Sequence, residues 1–118
     1  MTNRKLAEVL TNQKLLALRE HAPDQDACRC MWEHSKGSVL VFDQNSRLIG
    51  IFTVRDAVRT LAEGRREEVT TLAEAITPSP VKVPPKCREV VSLREMRELG
   101  IRHLPVVENE KILWVVSL

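Results

Sequence analysis

A short phrase occurs twice in this chain of 118 residues. KLAEVLT at Lys5–Thr11 returns as TLAEAIT at Thr71–Thr77, and both carry Leu-Ala-Glu-x-(Leu/Ile)-Thr. Repetition constrains the fold strongly, because each copy is a supersecondary unit that cannot bury its apolar face alone. A chain of this length normally makes one domain, and half of it buries too little surface to stand by itself. The repeat therefore implies two half-modules sharing one core.

The repetition continues beyond the opening phrase. In the first copy Lys5–Leu10 reads as a helix leading to Thr11, and Leu15, Leu16 and Leu18 as a short strand. Pro23-Asp24 opens a helix with Asp24 as its N-cap. Ala27, Cys28 and Met31 lie on one face of it, and Trp32 is expected to be packed. Gly37 breaks the pattern. Val39–Phe42 and Leu48–Phe52 flank the polar turn Asp43–Arg47 and read as a β-hairpin. Thr53 starts another helix, with Ala57, Val58, Leu61 and Ala62 on its apolar face and Gly64 as its stop.

Residues 65–70, RREEVT, read as a charged linker. In the second copy Thr71-x-x-Glu74 is a capping box and Val81–Val83 the short strand. Pro84-Pro85 precedes a helix carrying Val90, Leu93, Met96 and Leu99, ended by Gly100. Leu104–Val107 and Ile112–Val116 form the second hairpin, around Glu108–Lys111. Met31 aligns with Met96, Asp43 with Glu108 and Thr53 with Ser117. The expected organisation is a first copy over 1–64, a linker over 65–70 and a second copy over 71–118, of class α/β (α+β). The helix after Thr53 has no counterpart after Ser117 in this sequence.

Composition bounds the function. Apolar residues are 43% and charged residues 29%, ordinary for a soluble globular protein. A net charge of +2, only 3% aromatics and no Tyr argue against nucleic acid as the partner. Arg55, Arg59, Arg65 and Arg66 are the residues that such binding would use. No apolar run approaches the ~20 residues that span a bilayer, and the N-terminus lacks a signal-peptide core. A cytoplasmic location without a membrane partner is expected. The 3 cysteines, an odd number, fit no complete disulfide framework.

The segment Gly50-Ile51-Phe52-Thr53-Val54-Arg55-Asp56 is the most informative chemically. It ends a buried strand with a hydroxyl and puts a carboxylate at the third helical position. Free N–H groups and the dipole at a helix start favour an anion, and a carboxylate accepts hydrogen bonds from a diol. Those are the two ends of a nucleotide. Thr-x-x-Asp is also a plain helix cap, and spacing alone favours that reading while leaving the other open.

The two copies, with TPSPVKV at 77–83, GIRHLPVV at 100–107 and GIFTVRD at 50–56, resemble the CBS-domain (cystathionine β-synthase domain) family. The tandem pair looks like a Bateman module, and the resemblance runs from Lys5 to Leu118. It implies two pseudo-two-fold related βαββα half-modules, the second lacking its last helix, with clefts that often bind adenine nucleotides or other adenosyl compounds. On this resemblance Gly50, Thr53 and Asp56 match the ribose and phosphate motif, with Arg55 inside it. Asp56 would take the ribose hydroxyls and Thr53 a hydroxyl or a phosphate oxygen. Arg102 and His103 would face phosphates, with Lys36 a similar contributor in the first copy. Ile76, Thr77 and Val81 would pack the adenine. In the second copy Ser117 is present, but Trp114 stands where Gly50 stands and no Asp follows. One competent site is therefore expected. The resemblance implies AMP, ADP or ATP as ligand and no required cofactor. The uncovered apolar surface of the second copy predicts a homodimer, and an unidentified effector protein would read the signal.

The remaining residues have structural readings. Cys28 and Cys30 point to different faces of a helix and cannot easily share a metal; Cys87 stands alone. His21 and His34 are expected at the surface. No nucleophile–base pair, Walker loop or zinc spacing is legible, so the chain is expected not to be an enzyme. The alternative to a nucleotide sensor is a ligand-free dimerisation or protein-interaction module.

Overall fold

The computed structural model describes residues 4–6, 15–76 and 82–117. Thr77 and Val81, and most of the helix expected over Lys5–Leu10, lie outside the described residues. The chain divides into two compact units. One is Leu16–Pro80; the other joins Met1–Leu15 to Val81–Leu118. Among the described residues each has its own cluster of buried apolar side chains.

In the unit Leu16–Pro80, strand β1 (Ala17–Arg19) pairs in parallel with β2 (Ser38–Phe42). Parallel neighbours need a crossover, and helix α1 (Asp24–His34) supplies it. Strand β3 (Leu48–Thr53) returns antiparallel to β2, giving the order β1-β2-β3. Val39, Leu40 and Val41 are buried in succession, as suits a central strand covered on both faces. The hairpin loop closes on one side chain: Asp43 Oδ1 accepts from the N–H of Asn45 (2.8 Å) and of Arg47 (2.9 Å).

Helix α1 starts and stops differently from expectation. Asp24 is not its N-cap but its first helical residue, following Pro23 in an extended conformation. The helix's leading N–H groups are met by main-chain carbonyls instead. Asp24 N–H donates to Thr70 O (2.8 Å), Gln25 N–H to Glu67 O (3.0 Å) and Asp26 N–H to Pro23 O (3.0 Å). Residues 65–70 thus close the end of α1. At the other end Ser35 takes the left-handed conformation (φ 52°), ahead of Gly37. Ala27 and Met31 are buried as expected, but Trp32 is 86% exposed because it lies off their stripe.

Helix α2 (Val54–Ala62) follows β3 without a loop. Its buried residue is Thr60, with Ala57 partly buried against the core. Val54, Val58 and Leu61 form an exposed apolar stripe on a different face, contrary to the expected burial of Val58 and Leu61. Gly64, just past the helix, adopts φ 75°.

The helix of the repeated phrase, α3 (Leu72–Ala75), belongs to this same unit. Leu72 and Ala75 are fully buried with Met31, Val39 and Phe52. Main-chain bonds hold it there: Leu72 N–H to Ala22 O (2.9 Å) and Ala73 N–H to Glu20 O (3.0 Å). Thr71 caps it weakly, accepting from Glu74 N–H (3.4 Å). Glu74 extends to Arg65 (3.7 Å), so the expected capping box is only half made. The repeated phrase is therefore exchanged: the second copy's helix seals the core built on the first hairpin.

The other unit mirrors this arrangement. Helix α4 (Glu89–Leu99) runs to Gly100, whose φ of 68° ends it. Ile101 N–H returns to Met96 O (3.0 Å), as in a Schellman-type stop. Strands β4 (His103–Glu108) and β5 (Lys111–Ser117) form the hairpin. Its two-residue turn holds Asn109 and Glu110 at positive φ (52° and 63°), as a type I′ turn requires. Val83 pairs in parallel with Val106. Leu6, Met96, Leu104, Val106 and Val116 form the core, so Leu6 of the first phrase packs here. Lys5, expected to be helical, instead pairs with Arg88 in an isolated bridge. The buried face of α4 is Ser92 and Met96; Val90 and Leu99 are exposed and Leu93 half-buried, unlike the expected spacing.

Candidate functional site

The β3–α2 junction is where local sequence fixes geometry most tightly. Thr53 is the N-cap of α2 in an extended conformation, and Asp56 is the third helical residue. Asp56 N–H donates to Thr53 Oγ1 (3.3 Å), and Asp56 Oδ2 accepts from Thr53 N–H (2.8 Å), which makes a reciprocal capping box. Thr53 Oγ1 also donates to Asp56 Oδ2 (3.1 Å). The plain cap reading is thus realised, and it presents a carboxylate whose side chain is 14% exposed at a helix start.

The carboxylate has a further partner. Arg59, one turn along α2, donates from Nη2 to Asp56 Oδ1 (3.0 Å) and to the carbonyl of Ala75. Ala75 is the last residue of α3, and buried Ile76 follows it. Asp56, expected on the ribose, and the main chain leading into Ile76, expected at the adenine, are therefore joined through one guanidinium. Sequence reasoning counted Arg59 only among possible nucleic-acid contacts. Its acid–base spacing to Asp56 was legible, but its reach to Ala75 was not.

Lys36 is exposed, and its loop lies against the same junction, with Gly37 O accepting from Val54 N–H (3.3 Å). Arg55 is exposed on the first turn of α2, and Gly50 is buried opposite Val41. The arginines have acidic company. Arg59 also approaches Glu63 (3.8 Å), Arg65 meets Glu63 (3.3 Å) and Glu74 (3.7 Å), and Arg66 meets Glu68 (2.9 Å). Among the described residues Arg59, Arg65 and Arg66 therefore each have a carboxylate neighbour.

Arg102, His103 and Ser117 belong to the other unit. His103 and Ser117 are register partners across β4 and β5, and His103 Nδ1 lies 2.9 Å from Ser117 Oγ. No nucleophile–base pair was legible in the sequence, and the fold makes this hydroxyl–imidazole contact by ordinary cross-strand pairing. Arg102 is exposed beside it. Trp114 faces Val106 as Gly50 faces Val41, so the substitution of Trp for Gly falls at the equivalent register. Its ring is partly buried on the core of that unit.

Other candidate groups offer less. A groove of about 430 Å³ along β1 has Ala17, Leu18, Arg19, Phe42 and Ser46 among its lining, and none of these described residues was an expected site residue. Its one guanidinium is committed to Asp43 O (2.7 Å) and Ser46 Oγ (3.2 Å). Burial pushes the thiols of Cys28 and Cys87 up, away from the reactive thiolate. Among the described residues no His, Cys, Asp and Glu cluster could hold a metal ion. His34 is exposed, with Nδ1 2.9 Å from Cys30 O. No described helix is long and apolar enough to cross a membrane.

Comparison with known proteins assigns this architecture. Residues 6–63 match the model of the CBS domain. A CBS domain-containing protein of Arabidopsis thaliana is 35% identical over 106 residues, covering 89% of this chain and 20% of the relative. The chain belongs to the CBS-domain family. It spans about a fifth of the length of that plant relative. A CBS-domain containing protein from Agrobacterium tumefaciens superposes with a TM-score of 0.88 at 22% identity, over 98% of this chain and 88% of that one. A CBS domain protein from Pyrobaculum aerophilum, complexed with AMP, gives 0.85 at 22% identity over 96% and 86%. The fold is that of a tandem CBS-domain pair.

Proposed function

We propose that this chain is a non-catalytic regulatory module that binds an adenine nucleotide, AMP, ADP or ATP, or a related adenosyl compound, with Asp56 on the ribose hydroxyls. The observation that carries the reading is the largely buried Asp56 carboxylate, fixed at the start of α2 by Thr53 and linked through Arg59 to the Ala75–Ile76 main chain. A carboxylate accepts from both hydroxyls of a ribose, and a helix start suits an anion. The AMP complex of the Pyrobaculum relative supports the choice of ligand class. Thr77 and Val81 remain in the proposal as adenine contacts, and Arg102, His103 and Lys36 as phosphate contacts. Occupancy would be passed on through conformation or association, to the extent that the ligand prefers one state.

A second copy of the chain is the proposed partner for the exposed stripe Val54, Val58 and Leu61, since such apolar patches are usually covered. An effector protein would read the bound state, and we place the module in the cytoplasm. One observation favours the competing reading, a ligand-free interaction module: Asp56 already accepts hydrogen bonds from Thr53 and Arg59. Calorimetry decides between them. AMP, ADP and ATP are titrated into the protein and into Asp56→Ala. Saturable binding weakened at least tenfold by the substitution, about 1.4 kcal/mol, is expected. No heat from any of the three retires the adenine-nucleotide reading.

A further inference from the structure

Arg59 lies outside the Gly50–Asp56 motif, yet one of its nitrogens touches both parts of the proposed site. Its Nη2 donates to Asp56 Oδ1 at 3.0 Å and to the carbonyl of Ala75. That carbonyl ends α3, where the last C=O groups of a helix lack intrahelical donors and attract a cation. The side chain also lies 3.8 Å from Glu63, so it is held from three directions.

The acceptor sites on Asp56 limit what a ligand can do. A carboxylate offers about four lone-pair sites. Thr53 N–H and Thr53 Oγ–H take two on Oδ2, and Arg59 takes one on Oδ1. One site is left, too few for a vicinal diol. Of the three donors, the Thr53 hydroxyl gives way most cheaply: it turns about a single bond, and its oxygen still caps Asp56 N–H. The Thr53 main-chain N–H is fixed by the backbone, and Arg59 is anchored at Ala75.

We propose that Arg59 is a positioning residue for the adenylate site. It orients the Asp56 carboxylate and registers it against the Ala75–Ile76 main chain, so that ribose and base are recognised as one unit. The Thr53 hydroxyl is the group that the incoming diol displaces. This inference rests on the adenylate reading for the identity of the ligand, whereas the tether itself is a property of the free protein.

Two measurements separate these layers. In the free protein, hydrogen exchange and urea unfolding are followed for wild type, Asp56→Asn, Arg59→Gln and the double variant. The Ile76 amide is expected to lose protection in Arg59→Gln, and the two substitutions to combine less than additively. Strict additivity with unchanged protection at Ile76 overturns the tether. Calorimetry with AMP and 2′-deoxy-AMP then tests the role toward ligand. Arg59→Gln is expected to weaken AMP about tenfold and 2′-deoxy-AMP less than about threefold, with Arg59→Lys restoring part of the loss. Equal weakening of both ligands, or of neither, overturns the positioning role. If wild type binds no adenylate, the adenylate reading fails and the positioning role with it, while exchange still decides the tether.

Discussion

Asp24 is the least comfortable residue in the molecule, and replacing it tests how the unit Leu16–Pro80 is held together. It is 1% exposed, and neither carboxylate oxygen has a hydrogen-bond partner among the described residues. The cause is visible at the start of α1. The N–H groups of Asp24, Gln25 and Asp26, which would ordinarily solvate such an acid, are spent on the carbonyls of Thr70, Glu67 and Pro23. The Thr60 hydroxyl lies near enough to oppose the effect, but its proton goes to Ala57 O (2.9 Å). Burial pushes the Asp24 carboxyl above its ordinary value of 3.8, and the charges of Glu67 and Glu68 add to the rise. The raised value means that the folded protein holds this proton more tightly than the unfolded chain. Stability is therefore fully present below the ordinary carboxylate value and falls as pH rises through the raised one. Each tenfold gain in proton affinity on folding corresponds to about 1.36 kcal/mol. Asp24→Asn removes the charge at constant shape but leaves an amide to be satisfied, so a net gain of about 1 kcal/mol at pH 7 is expected. For a chain of this size that raises the melting temperature by about 4 °C. Thermal unfolding of both proteins from pH 7 down to pH about 3.5 is the assay. The advantage of Asn should shrink to nothing as the acid protonates. An Asn variant less stable than wild type at pH 7 would refute the reasoning, because the carboxylate would then have a partner that stabilises its charge.

Other expectations follow from single positions. Gly100→Ala should cost about 1 kcal/mol in urea unfolding, since φ is 68° while a Cβ would meet nothing within 4 Å, so the loss is purely conformational. Val58 is 60% exposed, so Val58→Glu should leave the melting temperature within about 2 °C and convert the proposed dimer to monomer by sedimentation; a dimer that survives places the contact elsewhere.

Much of the architecture and half of the site were legible in the sequence, and the division follows the range of the forces. Capping, hairpin closure and helix termination are settled within a few residues. Thr53 and Asp56, the Asp43–Arg47 turn and the stop at Gly100 accordingly appear where the spacing puts them. The repeated phrase announced two related halves. Which face of a helix is buried depends instead on what arrives from far along the chain. The apolar periodicity of α2 pointed to Ala57, Val58, Leu61 and Ala62, yet of these Ala57 alone turns inward, beside Thr60, and Trp32 stays in water. Asp24, a surface cap by its spacing, is enclosed because residues 65–70 fold over it. The exchange of Leu6 and Leu72 between the two cores could not be read from either copy alone. Nor could the bond from Arg59 to Ala75, which joins two helices that only tertiary packing brings together. The sequence by itself determined the elements, their order and the carboxylate at the start of α2. The tertiary structure decided what that carboxylate is tied to, because long-range burial, not local spacing, sets which groups lose water together.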